Sequence, residues 1–321
     1  MTFTLHDRWV WDFWLAPADG SGVYHLYYLS APKSLGDPDL RHRNATIGHA
    51  TSEDLVSWHD LGTVLTPGGV GRFDETATWT GSIVRGPDDT WHMFYTGSRF
   101  LGRDDSTNVE TIGLATSRDL HEWTKQHDVV VSADPRWYEV LSDGTWREEA
   151  WRDPWVYRGS DGDWHMLVTA RSRSGAAADR GVIGHAVSKD LRAWTVTAPV
   201  SDPGAGFMHL EVPQLVEIDG TWVLLFSCDT AHVTGGRAAS GEVGGIWALA
   251  LDDPATPFDT AKAVRLTEDT FYSGRAVQGR DGSWSLLAFE NVGTDGEFIG
   301  RLSDPLALEW NDSALTIRKA S

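Results

Sequence analysis

Five times along the chain an aromatic-led or tyrosine-led apolar run stands between polar turns: Tyr24-His25-Leu26-Tyr27-Tyr28, Trp91-His92-Met93-Phe94-Tyr95, Trp164-His165-Met166-Leu167-Val168, Trp222-Val223-Leu224-Leu225-Phe226 and Trp284-Ser285-Leu286-Leu287-Ala288. After each of the first three comes a second phrase, Ile47-Gly48-His49-Ala50-Thr51-Ser52, Ile112-Gly113-Leu114-Ala115-Thr116-Ser117 and Ile183-Gly184-His185-Ala186-Val187-Ser188, continued by Asp-Leu and a tryptophan (Trp58, Trp123, Trp194). Weaker echoes close the last two copies at Ile246-Trp247-Ala248-Leu249-Ala250 and Phe298-Ile299-Gly300-Arg301-Leu302. Copies of about 55 to 75 residues, made of short apolar runs bounded by Gly-Asp, Asp-Gly and Pro-rich turns, are longer than solenoid repeats and suit four-stranded propeller blades. The pattern therefore predicts an all-β fold, a five-bladed β-propeller of four-stranded antiparallel blades.

Within a copy the expected order is an inner strand (Val10 to Ala16, Thr78 to Arg85, Trp155 to Arg158, Glu211 to Glu217, Tyr272 to Gln278), the aromatic strand, the Ile-Gly strand and an edge strand near the tryptophan. Asp161-Gly162, Asp219-Gly220 and Asp281-Gly282 are the hairpin signals expected between the first two strands. No helical periodicity interrupts the series, and the repeat reaches almost both ends, so residues 1–321 read as a single domain.

Composition sets limits on partners. The formal net charge of −19 and the absence of a basic run argue against nucleic acid, whose binding rests on phosphate neutralisation by Lys and Arg. The same charge disfavours anionic membrane surfaces, and no apolar stretch is long enough to span a bilayer. The start Met1-Thr2-Phe3-Thr4-Leu5-His6-Asp7 has neither a basic n-region nor an apolar h-region, which suggests a cytoplasmic protein. Seventeen tryptophans supply large packing groups, most of them expected in the core. The single cysteine, Cys228, lies next to an apolar run and reads as a buried structural thiol.

Three carboxylates stand at corresponding places in the repeat: Asp12, Asp153 and Glu211. The first strand of each propeller blade lines the central channel, so side chains near its start converge on one mouth of the axis. Carboxylates at strand starts commonly cap turns, but these lie in apolar phrases, Val10-Trp11-Asp12-Phe13-Trp14 and Leu210-Glu211-Val212-Pro213, where an unpaired ionised group costs several kcal/mol. Arg152, beside Asp153, is one candidate partner. Two carboxylates facing each other across a sugar cleave a glycosidic bond, one attacking or activating water and the other protonating the departing oxygen. A third can hold hydroxyls and raise the acid's pKa by like-charge repulsion.

At this point the chain resembles the five-bladed propeller glycoside hydrolases of the fructosyl-processing clan, family 32 (invertases, inulinases, levanases) and family 68 (levansucrases). Val10-Trp11-Asp12-Phe13-Trp14 is similar to the family 68 nucleophile motif, Trp79-Thr80-Gly81-Ser82 to the motif of the second blade, and Glu211-Val212-Pro213 to the acid/base motif. Arg152-Asp153-Pro154 is shared by both families, and Phe271-Tyr272-Ser273-Gly274 is similar to a Phe-Tyr segment of the fifth blade. The resemblance implies Asp12 as nucleophile, Glu211 as general acid and then base, and Asp153 as transition-state stabiliser holding fructosyl hydroxyls. Trp11, Trp79, Ser82, Arg152 and Tyr272 would line the substrate pocket; Arg275 and His209 are further candidates. It also implies a retaining mechanism, with carboxyl groups roughly 5 to 5.5 Å apart. Departures are an Asn-Asp-Pro-Asn-Gly phrase missing around Asp12, a Val after Glu211, and no room after the fifth blade for the C-terminal β-sandwich usual in family 32.

The leading expectation is a retaining β-fructofuranosidase acting on sucrose or short fructo-oligosaccharides, a small carbohydrate, with no cofactor. Fructosyl transfer at the same site, a family 43-like arabinofuranosidase or arabinanase, and a carbohydrate-binding propeller without catalysis are the alternatives. His25, His92 and His165 occupy equivalent places in successive blades and face different directions, so they are expected to pack or hydrogen-bond rather than share a metal. Metal, nucleotide and serine-hydrolase motifs are lacking, and no metal ligands are assigned. Acidic patches at Arg103-Asp104-Asp105, Glu148-Glu149 and Glu268-Asp269 read as solvated loops, with Glu148 and Glu149 close enough to rim the pocket.

Overall fold

The computed structural model describes residues 3–102, 106–293 and 296–318, so the patch Arg103-Asp104-Asp105 lies outside the described residues. Five antiparallel sheets follow one another around a ring. Blade 1 comprises Arg8–Leu15, Tyr24–Pro32, Thr46–Ser52 and Trp58–Leu65; blade 2, Ala77–Arg85, Trp91–Phe100, Asn108–Ser117 and Thr124–Val131; blade 3, Trp151–Arg158, Trp164–Arg171, Gly181–Ser188 and Trp194–Thr197. Blade 4 comprises Glu211–Ile218, Thr221–Cys228, Gly245–Leu251 and Val264–Arg265. In blade 5, Phe271–Gln278 and Trp284–Val292 are followed by a third strand in two pieces, Phe298–Leu302 and Leu306–Asn311, and by Ala314–Ile317. Inner strands of neighbouring blades pack on each other, blade 5 returns to blade 1, and the Leu302 N–H donates to the Phe3 carbonyl (2.9 Å) across that closure.

The repeated phrases have distinct jobs. In the Ile-Gly of blades 1 and 2, the glycine lies under an aromatic ring: a Cβ on Gly48 would stand 2.3 Å from the Tyr28 ring, and one on Gly113 2.0 Å from Phe73. In Ser-x-Asp-Leu, the carboxylates of Asp54, Asp119 and Asp190 each accept two backbone N–H bonds from the turn into the fourth strand. That turn places Leu55, Leu120 and Leu191 at left-handed φ of 63°, 66° and 63°. Trp14, Trp151 and Trp247 are fully buried between blades, whereas Trp137 is exposed. The inner strand of blade 3 begins at Trp151 rather than Trp155, so Arg152-Asp153-Pro154 is part of the strand. Pro154 is tolerated because the ladder is interrupted there. No helix among the described residues is long and apolar enough to cross a membrane.

The histidines pair within blades. His25 Nδ1 meets His49 Nε2 at 3.0 Å, and His165 Nδ1 meets His185 Nε2 at 3.0 Å, each linking a second strand to an Ile-Gly-His third strand. Blade 2 has Leu114 where blades 1 and 3 have histidine, and His92 turns to the Thr90 carbonyl (3.0 Å). Burial, reinforced by His25, pulls the His49 ring down to about 3, and burial reinforced by His165 pulls His185 down to about 4. Their unfolded counterparts titrate near 6.5, so below that pH the unfolded chain binds more protons and stability falls as pH drops. Each ring contributes a slope of at most about 1.4 kcal/mol per pH unit until its folded pKa is reached. Between pH 7 and pH 5 the urea midpoint of wild type should therefore lose ground relative to that of His185→Gln; an equal change in both proteins would remove His185 as a cause.

Candidate active site

The ladder between the first and second strands slips at the same place in every blade, after Trp11, Trp79, Arg152, Glu211 and Tyr272. The residues that follow are Asp12, Thr80, Asp153, Val212 and Ser273. Four of these have positive φ: Asp12 21°, Asp153 58°, Val212 53° and Ser273 51°. An ordinary strand sends consecutive side chains to opposite faces, whereas a bulge re-aims one of them. Consequently Trp11 with Asp12, Trp79 with Thr80, Arg152 with Asp153, and Glu211 with Val212 all line one cavity of about 670 Å³, together with Tyr272.

This register corrects one part of the repeat reading. Glu211 is not the counterpart of Asp12 and Asp153; it stands one place earlier, matching Trp11 and Arg152, and Val212 takes the bulge position. The three carboxylates nevertheless converge, because in blades 1 to 4 both residues of the bulge pair reach the cavity. Ser82 is a second correction. It does not line the cavity: its hydroxyl is buried and accepts the Val156 N–H (3.1 Å), tying blade 2 to blade 3. Arg275 is also buried outside the cavity lining, its guanidinium donating to the carbonyls of Phe13, Val212 and Pro213. His209 does line the cavity.

Each carboxylate is held by neighbouring blades. Asp12 accepts from the Thr80 hydroxyl (2.9 Å) and the Ser273 hydroxyl. Asp153 Oδ2 accepts from the Thr169 hydroxyl (2.8 Å) and the Val212 N–H (3.1 Å). Glu211 Oε1 accepts from Arg152 Nη2 (2.5 Å) and Oε2 from the Tyr272 hydroxyl. Arg152 is the hub: its guanidinium also meets Glu110 (3.0 Å), Glu148 (3.3 Å) and Asp153 (3.7 Å), with the Glu110 side chain wholly buried.

The electrostatics follow from burial and from the nearby cations, Arg152 together with Arg41 beside Asp12 and Arg275 beside Asp12 and Asp153, and from His209 beside Glu211. Burial pushes Asp12 up, its hydroxyl donors opposing and Glu211 adding to the rise. Burial also pushes Asp153 up to about 6, against Arg152 and with help from Asp12 and Glu211. For Glu211, burial is outweighed by His209, Arg152 and the Tyr272 hydroxyl, which bring it down to about 2. Glu110 goes up to about 8 through burial, despite Arg152. The empty site thus favours a proton on Asp12, Asp153 or Glu110 over one on Glu211.

Sequence reasoning missed Glu110, Thr80, Ser273, Thr169, Asp229 and His232. Glu110 arrives from the third strand of blade 2, where Asn108 and Val109 pair in parallel with Glu148 and Glu149, the two acids expected at the rim. Glu148 lines the cavity and Glu149 instead accepts the Leu141 N–H (3.1 Å). One signal was available: the hydroxyl closing the aromatic run in blades 2 to 4, at Thr96, Thr169 and Ser227. Thr96 accepts the Asp153 N–H (2.9 Å) and Ser227 the Ser273 N–H (2.9 Å), so these hydroxyls serve the next blade's bulge.

The profile of the Glycosyl hydrolases family 32 N-terminal domain matches residues 16–293. The chain belongs to glycosyl hydrolase family 32. Asp12 lies just ahead of the matched residues. Among curated relatives, "Beta-fructofuranosidase, insoluble isoenzyme CWINV6" of Arabidopsis thaliana is 29% identical over 288 residues, 85% of this chain and 49% of that one. "Sucrose-6-phosphate hydrolase" of Bacillus subtilis is 28% identical over 283 residues, 84% and 52% respectively. The chain therefore spans about half the length of these family 32 relatives. Among solved structures, an inulosucrase from Halalkalicoccus jeotgali bound to kestose aligns with a TM-score of 0.79 at 20% identity, over 98% of this chain and 87% of that chain. Bacillus subtilis levansucrase aligns with a TM-score of 0.72 at 14% identity, over 100% and 88%. At these identities the structural likeness is one of fold, and it agrees with the five blades.

Removing the hub takes from Glu110, Glu148 and Glu211 the guanidinium that pairs with them. Arg152→Gln should destabilise the protein by about 3–5 kcal/mol near neutrality. Without Arg152 the folded pKa values of Glu110 and Asp153 rise further above their unfolded values, and Glu148 loses the cation that holds it low, so the variant loses stability relative to wild type as pH increases. The difference from wild type in urea unfolding should be larger at pH 8 than at pH 5; a pH-independent difference would contradict the charge account.

Proposed function

We propose that the protein is a retaining glycoside hydrolase that cleaves β-fructofuranosidic bonds in sucrose or short fructo-oligosaccharides. The observation that carries this reading is the meeting of Asp12, Asp153 and Glu211 in one cavity, in a chain of family 32. Asp12 attacks the anomeric carbon and forms a covalent fructosyl-enzyme while Glu211 gives its proton to the departing oxygen. Glu211 then takes a proton from water, which releases fructose. Asp153, gripped by Thr169 and the Val212 N–H, is placed to accept hydrogen bonds from fructosyl hydroxyls. Trp11 and Trp79 offer apolar ring surface to the sugar, and Tyr272 steadies Glu211.

In the empty site the proton order is the reverse of what the first step needs. Bound substrate corrects it. A glycosidic oxygen beside Glu211 can accept a hydrogen bond only if that carboxyl carries a proton, and the positive charge developing at the anomeric carbon favours an ionised Asp12. The Thr80 and Ser273 hydroxyls already donate to Asp12 and support its anion. Transfer to a sugar hydroxyl instead of water would use the same intermediate, and product analysis at high sucrose separates the two outcomes.

The test is a panel of sucrose, kestose and an aryl arabinofuranoside, with NMR of the first-formed anomer. Sucrose or kestose should be cleaved with retention, and Asp12→Asn and Glu211→Gln should each lose about 10³-fold or more in kcat on sucrose. Cleavage of the arabinofuranoside alone, an inverted product, or full activity in either variant would sink the proposal.

A further inference from the structure

His209, Asp229 and His232 stand together at the cavity wall beside Glu211. Their ligand atoms all lie within 4.8 Å of one another. His209 Nε2 is 3.9 Å from Asp229 Oδ2 and 3.9 Å from Glu211 Oε1, while His232 Nδ1 is 2.6 Å from Asp229 Oδ2. The three residues come from the loop before blade 4, the end of its second strand and the short turn that follows. A second observation points to a ligand. His209 is buried, with a side chain only 6% exposed, yet its Nε2 has no hydrogen-bond partner and is aimed into the cluster. A buried ring nitrogen left unpaired costs roughly 1–3 kcal/mol, so the position asks for an occupant.

We propose that His209, Asp229 and His232 form a binding site for one divalent transition-metal ion of the zinc type, and that the bound ion engages Glu211. Two imidazoles and a carboxylate are a familiar donor set for zinc, with ligands at about 2.0–2.2 Å. Tetrahedral ligands at that radius stand about 3.4 Å apart. Closing the 3.9 Å separation and opening the 2.6 Å one each require less than about 1 Å of side-chain movement. Binding expels the proton now shared by His232 and Asp229. It also places the His209 proton on Nδ1, which gives up a long 3.4 Å contact from Arg152 Nη2 while Arg152 keeps its carboxylates. The fourth position faces Glu211 Oε1 and the cavity. An ion held there ligates the oxygen that would otherwise serve the leaving group, so the occupied enzyme is blocked.

The second half of this inference rests on the proposed function; the first half does not. Chelator-stripped protein is titrated with Co²⁺, read by its visible absorption, and with Zn²⁺ by calorimetry, both without substrate. One ion per chain with tetrahedral cobalt bands is expected, and His232→Ala and His232→Gln should each weaken binding at least about tenfold. No single-site binding, or binding unchanged in both variants whose circular dichroism matches wild type, overturns the site. Sucrose cleavage is then followed with Zn²⁺ and after added EDTA. A loss of rate that saturates at the calorimetric Kd and returns with EDTA supports the block, and an unaffected rate overturns it. Metal-free wild type that cleaves no fructoside refutes the functional reading, while the titrations still decide the site.

Discussion

A backbone kink repeated at the start of each inner strand governs what this propeller can present at its mouth. A regular strand would show the channel only every second side chain. The slip after Trp11, Trp79, Arg152 and Glu211 lets neighbours in sequence become neighbours on the cavity wall, and the one after Tyr272 turns Ser273 toward Asp12. Left-handed backbone at a non-glycine residue costs about 1–3 kcal/mol, most for a β-branched side chain such as Val212. That cost is met by hydrogen bonds from the adjoining blade. Thr96 takes the Asp153 N–H, Ser227 takes the Ser273 N–H, and Asp153 itself takes the Val212 N–H. The kinks are therefore held by tertiary contacts between blades.

The same kinks crowd acids. Asp12, Asp153, Glu211, Glu110 and Glu148 share one cavity wall, and Arg152 touches four of them. Arg152 alone cannot neutralise the four it touches, and although Arg275 also acts on Asp153, burial still pushes Glu110 and Asp153 up and favours protons there. A site that remains short of positive charge suits a reaction whose transition state supplies it, as the oxocarbenium-like state of glycoside cleavage does.

Most of this fold was legible because it repeats. The aromatic run and the Ile-Gly phrase mark strands, and each has a local cause: a glycine beneath Tyr28 or Phe73, an aspartate closing a turn. The acids Asp12, Asp153 and Glu211 were legible as members of motifs. What the repeat obscured was the bulge, since a one-residue slip leaves no mark in composition, and Glu211 was consequently equated with Asp12 instead of Trp11. Ser82 was misplaced for a related reason, because its hydroxyl falls past the bulge and points between blades. Glu110, Asp229 and His232 belong to no repeated phrase; only the folding of separate loops and strand ends brings them to Arg152 and His209.

The geometry of the carboxylates is also a property of ring closure. Asp12, in blade 1, is held from blade 2 by Thr80 and from blade 5 by Ser273. Glu211, in blade 4, is held from blade 3 by Arg152 and from blade 5 by Tyr272. Beneath them Arg275, from blade 5, bonds carbonyls of blades 1 and 4, and its buried charge acts on both Asp153 and Asp12. Blade 5 thus reaches both sides of the site at once, through Tyr272, Ser273 and Arg275 on one strand. A loosening of blade 5 against blade 1 would move one donor of Asp12, Ser273, and one of Glu211, Tyr272, together, so the closure and the alignment of the two carboxyl groups share contacts.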